Sequence, residues 1–134
     1  MLDQGNLNNI NPFAETRELT GGYLEIINAV DEIIKPAVKI MLEHGFHTFE
    51  SCQGGEGHSF TEPTIRFNGT EFDLIIAYEL CKHYKLNVSC VRRVYEKNPV
   101  YNDKWEEITE NWIRPFNEIV FHRNSKTGTI FLRH

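Results

Sequence analysis

Apolar residues fall at Leu24, Ile27, Val30, Ile34, Val38 and Met41, a spacing of three to four that predicts an amphipathic helix. Pro36 interrupts the run. It either lies near the start of a helix beginning around Asp31 or kinks a longer one, because proline lacks an amide hydrogen and clashes with the preceding turn. The pattern places a helix over about 30–44, stopped by Gly45 after Glu43-His44, and leaves 23–28 undecided. Residues 46–51 and 63–67 then read as two strands across a glycine-rich loop. Asn68-Gly69 turns the chain, and Thr70 is a candidate N-cap with Asp73 completing an imperfect capping box. Phe72, Ile75, Ile76, Leu80 and Tyr84 carry a second helix to about Lys85. Residues 86–95 form a third strand, with Val88, Cys90 and Arg92 on one face and Val91, Arg93 and Tyr95 on the other.

The stretch 96–111 is polar and is expected as a loop, with Trp105 and Trp112 resting on the remainder of the fold. Residues 115–122 are a fourth strand; after a turn at 124–128, residues 129–133 form a fifth that pairs with the fourth as an antiparallel hairpin. The order predicts an α+β fold, a two-layer sandwich in which a mostly antiparallel sheet of four to five strands carries two helices on one face. Residues 1–22, rich in Asn and Gly, read as an irregular N-terminal arm with a short helical turn after Asn11-Pro12, and 23–134 as one α+β domain.

Composition narrows the function. A chain of 134 residues, 40% hydrophobic and 25% charged, suits one globular domain. The net charge of −5 argues against general binding to a nucleic-acid backbone, while a small anionic ligand remains open where local arginines outweigh a weak overall field. Three cysteines without regular spacing argue against a disulfide framework and for a reducing compartment. The polar first residues lack the pattern of a signal peptide, and the apolar runs are too short to span a bilayer, so a cytoplasmic location without membrane partners is expected.

The chemistry concentrates in the loop, where Ser51, Cys52, Gln53, Gly54, Gly55, Glu56, Gly57 and His58 stand together. A plain turn needs one or two glycines and no such gathering of reactive side chains, so a binding or catalytic loop is the reading adopted. Zinc is one candidate, but Cys52-x5-His58 matches no structural zinc spacing, Cys81-x-His83 on a helix points two ways, and Cys81 and Cys90 read as small apolar core residues. No metal or cofactor is therefore expected. Catalysis by Cys52 or Ser51, with His58 as base and Glu50, Glu56 or Glu62 as the orienting carboxylate, is a second candidate, placed below simple binding because nearness in sequence is not geometry. The third is an anion-binding nest of successive backbone amides, although the loop lacks both the Walker spacing and the dinucleotide fingerprint. Arg66, Arg92 and Arg93 would supply charge, with Arg114 adding to it, and Phe60, Tyr95 or Trp112 a stacking surface. Any one of these arginines is accounted for as a sheet-face residue paired with a glutamate; it is the combination with the loop that points to a ligand.

The run Thr48-Phe49-Glu50-Ser51-Cys52-Gln53-Gly54-Gly55-Glu56-Gly57-His58, followed by Pro63-Thr64-Ile65-Arg66-Phe67 and then Arg92-Arg93-Val94-Tyr95, resembles a family of small bacteriophage and prophage proteins over roughly residues 30–122. The resemblance implies a phage protein acting in the host cytoplasm, and with it the expectation of an anti-defence sponge that sequesters a nucleotide-derived signal. A homodimer or higher homo-oligomer could build such a pocket at a two-fold interface with help from the arm. An enzyme using Cys52 and His58, or an inhibitor that meets a host protein through Trp105 and Trp112, are the alternatives. The segment Ser51-Cys52-Gln53-Gly54 after a strand is also similar to the Ser-Ser-Cys-Ser-Gly-Arg segment of the wybutosine-synthesising tRNA methyltransferase family, but the arginine of that segment is absent here and the chain is acidic.

Overall fold

The structure is a computed structural model that describes residues 18–95, 97–112 and 114–132, so all of the expected arm before Glu18 lies outside the described residues. The fold is α+β. Four antiparallel strands form a sheet in the order β1-β2-β6-β3, where β1 is His47–Cys52, β2 Thr64–Asn68, β3 Val88–Val94 and β6 Phe116–Phe121. Helices α1 (Gly22–Ala29), α2 (Lys35–Glu43) and α3 (Glu71–His83) complete the main body, and β4 (Lys97–Tyr101) pairs with β5 (Glu107–Trp112) as a separate two-stranded sheet.

The helix expected over 30–44 is shorter, α2 at Lys35–Glu43, and the stretch left undecided at 23–28 belongs to a separate helix, α1. Val30 is extended and ends α1, and α2 begins at Lys35 with Pro36 in its first turn, where a missing amide hydrogen breaks no helical bond. The apolar spacing runs unbroken across the gap because both segments face one core, to which Ile34, Ala37, Val38, Met41 and Leu42 contribute fully. In α3 the buried stripe is Leu74, Ala77, Leu80 and Cys81, whereas Ile75, assigned to that face from the sequence, is half exposed. The capping box is complete: the Asp73 amide donates to Thr70 Oγ1 at 3.2 Å and the Thr70 amide donates to Asp73 Oδ2 at 2.7 Å.

Ile65 and Phe67 of β2 and Ile119 and Phe121 of β6 fill the core between sheet and helices. Alternation sends Arg66 and Glu118 to the opposite face. Three expectations fail here. Residues 129–133 do not pair with β6, because β6 lies between β2 and β3 and has no vacant edge. The tail instead meets the entry to β3 through a Leu86–Phe131 bridge, with the Asn87 amide donating to the Ile130 carbonyl at 2.7 Å; Arg133 lies outside the described residues. The stretch 96–111 is largely a hairpin, missed because its strands have no apolar alternation; Asn102 Oδ1 fixes the turn by accepting from the amides of Lys104 and Glu106, each at 2.9 Å. Trp105, at the hairpin's tip, is 82% exposed and has Tyr101 beside it at 6.3 Å instead of a core to rest on.

Cys90 is exposed instead of core, since its register opposite Val120 puts it on the sheet face away from the helices. Cys81 is buried, and that burial pushes its thiol up to about 12, as for an inert core cysteine. The α3 cap is testable on its own: Thr70→Ala should lower the unfolding free energy by about 1 kcal/mol, read as a reduced urea midpoint with an unchanged slope.

Candidate functional site

Cys52, the last residue of β1, is buried, and the chain leaves the sheet directly after it. At Gly54 the two legs of the loop touch backbone to backbone. Its φ is +79°, and a Cβ there would lie 2.4 Å from the carbonyl carbon of Glu62 and 2.7 Å from the nitrogen of Pro63. Only glycine accepts both conditions. The Gly55 amide donates to the Thr61 carbonyl at 3.0 Å and the His58 amide to the Gly55 carbonyl at 3.2 Å. The Gln53 amide donates to Asp31 Oδ2 at 3.3 Å, and the Gly54 amide to Cys52 Sγ at 3.4 Å. These four amides have internal acceptors and do not form an outward-facing nest. Gly57, at φ +83°, has open space around it.

The loop does assemble reactive side chains, with a member the sequence reading missed. Asp31, Cys52 and His58 each bring a ligand-type atom to within 4.8 Å of the other two, with Cys52 buried and the other two exposed. Gln53 Nε2 lies 3.4 Å from His58 Nε2 and restrains the ring. The carboxylate comes from the α1–α2 connection and not from Glu50, Glu56 or Glu62, and no local spacing in the sequence could have found it. Ser51 is opposite Ile65, so alternation turns it to the helix-covered face, away from Cys52.

The arginines divide between the two faces of the sheet. Glu50, Arg66, Glu118 and Arg92 form one row across β1, β2, β6 and β3. Arg66 Nε donates to Glu118 Oε1 at 2.9 Å and its Nη1 to Glu50 Oε1 at 3.2 Å, while Arg92 Nε donates to Glu118 Oε2. The Arg66 guanidinium also lies between two rings, Phe60 at 4.7 Å and Phe116 at 5.1 Å, so Phe60 stacks on an arginine of its own chain. Glu118 is 2% exposed. Its burial alone would raise its pKa, but the hydrogen bonds and charges of Arg92 and Arg66 outweigh this and hold the carboxyl below its usual range. The hydrogen bond to Glu118 in turn raises the pKa of Arg92. Arg93 points to the helix side and donates to the Gly69 carbonyl at 2.8 Å and Asn117 Oδ1 at 2.7 Å. Tyr95 and Arg114 are exposed beyond the opposite end of the sheet from the loop, and nothing is described of the Trp112 side chain.

Two cavities flank the sheet ends. The larger, about 600 Å³, is at the end away from the loop and is lined by His44, His47, Asp73 and Arg114 among others. Asp73 is already engaged in the α3 cap and His44 contacts the Tyr84 hydroxyl at 3.2 Å. The smaller, about 250 Å³, lies against the glycine loop, between Gln53, Gly54 and Gly55 on one side and His122, Arg123 and Ser125 on the other. It is the cavity adjoining the loop's chemistry. The sequence reading had no reason to bring the turn after β6 to this place, because that follows from β6 running antiparallel beside β2.

The row on the open face should be visible in acid. Because Glu118 has a lowered folded-state pKa, its contribution is fully present above the unfolded value of about 4.3 and is lost as pH falls through the folded value. Glu118→Gln should cost about 1–3 kcal/mol at pH 7, between the worth of exposed and fully buried pairs, and the variant's stability should fall less steeply below about pH 4 in denaturant titrations across pH. Compared with known proteins, the chain matches no family model, no curated protein and no solved structure.

Proposed function

We propose that the protein binds a small anionic, nucleotide-derived ligand at the glycine-loop end of the sheet, in the cavity between Gln53–Gly55 and the turn after β6. The observation that carries this reading is the 250 Å³ cavity with a loop wall on one side and Arg123 on the other. Arg66 and Arg92 are held by Glu118, whereas Arg123 is exposed and has no ion-pair partner among the described residues. Its guanidinium fork is the group suited to phosphate, and His122 beside it adds a donor. Glu62, also in the lining, is an acceptor of the kind that holds ribose hydroxyls. The volume is below the roughly 300–1,000 Å³ of sites that enclose a whole drug-sized ligand, so it takes the phosphate or sugar phosphate and leaves the base outside or against a second subunit.

Cys52 and His58 do not line this cavity, which favours holding the ligand over transforming it. With the resemblance to phage proteins, the role we propose is sequestration of a nucleotide signal of host defence. Native mass spectrometry with a panel of cyclic and linear nucleotides reads ligand mass and subunit count together. The expected result is retention of an unchanged nucleotide, with affinity reduced about 10- to 100-fold in Arg123→Ala, the loss of one charge-assisted hydrogen-bonding group, and little changed in Arg92→Ala. Retention of no nucleotide, or equal affinity in Arg123→Ala, overturns it.

A further inference from the structure

We propose that Asp31, Cys52 and His58 form a three-residue binding site for a zinc-type divalent transition metal. The three ligand-type atoms lie within 4.8 Å of one another. Tetrahedral coordination with metal–ligand bonds of 2.0–2.3 Å puts ligand atoms about 3.3–3.8 Å apart, so small side-chain rotations close the set around one ion. A nucleophile–base–acid relay has a different shape. There the imidazole stands between its partners and uses both nitrogens, which separates sulfur from carboxylate by roughly 7 Å. Convergence, with Asp31 and His58 both within 4.8 Å of Cys52, is the geometry of a coordination site.

The surroundings fit the same reading. The Gly54 amide donates to Cys52 Sγ, and the Gln53 amide donates to Asp31 Oδ2. Backbone donors of this kind orient ligands. A thiolate and a carboxylate balance a dication, with the Cys52 proton leaving to solvent on binding. Sulfur and imidazole ligands select zinc-type ions over magnesium or calcium. Cys52 is buried while Asp31 and His58 are exposed, so the ion would enter from the solvent side and keep a fourth position for water or a ligand atom. Bound there, it would tie the glycine loop to the α1–α2 connection. The site is separate from the ligand cavity, which none of the three residues lines, and each proposal can fail without the other.

Cobalt(II) is the probe, because a thiolate ligand gives it an intense charge-transfer band and tetrahedral coordination gives strong visible bands. Metal-free protein should bind one equivalent of Co²⁺ with both features and release it to Zn²⁺. Loss of an outer-shell partner alone costs about 10–100-fold in metal affinity, so Asp31→Asn, Cys52→Ser and His58→Ala should each weaken binding by more than about tenfold. Cys90→Ser, which removes the exposed cysteine, should leave binding unchanged. Circular dichroism of each variant confirms that the fold is kept, and Asp31 and His58 are exposed positions whose replacement disturbs no core. No stoichiometric charge-transfer band in the wild type, a band that follows Cys90, or unchanged affinity in Asp31→Asn overturns the site.

Discussion

One carboxylate on the central strand decides where positive charge is available in this protein. Glu118 is on β6, which β2 and β3 flank on both sides, and it projects away from the helices into a place that water hardly reaches. A lone buried carboxylate would be costly there. Arg66 and Arg92 stand in register on either side and supply the missing charge, and Glu50 extends the row to the edge strand. The row is electrically balanced, two acids against two bases. Arg66 and Arg92, which look from the sequence like part of a ligand's guanidinium clamp, are thus ion-paired within the sheet.

The remaining concentration of reactive side chains is at the end of the sheet where the glycine loop turns. The constraint at Gly54 draws both legs of the loop together and leaves its outer surfaces to two different neighbours. On one side is the turn carrying His122 and Arg123; on the other is Asp31 from the α1–α2 connection. With the amides of Gln53, Gly54, Gly55 and His58 satisfied internally, the loop borders both.

Much of the fold was legible because it follows from periodicity. The strands around the loop, the α3 cap at Thr70 and the α+β layering all show in local pattern. What failed were features decided by distant parts of the chain. The split at Val30 is hidden because both helices face the same core, and the polar β4–β5 segments carry no apolar alternation that a sequence could display. The tail's choice of the β3 entry follows from β6 being interior. For the site, the concentration of Cys52, Gln53 and His58 was visible, and so was the presence of the arginines. Their partners were not: Glu118 meets Arg66 across a strand pair, Asp31 meets Cys52 across the layer, and Arg123 reaches the loop through the sheet's topology.

In the proposed function Arg66 and Arg92 stay with Glu118, and Arg123, which has no ion-pair partner among the described residues, meets the anion. Side-chain nitrogen-15 NMR of the arginine Nε–H groups, followed as inorganic phosphate and then a nucleoside monophosphate are added, tests it most directly. Saturable shifts of the Arg123 resonance are expected, with the Arg66 and Arg92 resonances staying where their bonds to Glu118 hold them. Saturable shifts of Arg66 and Arg92 with Arg123 unmoved would contradict it.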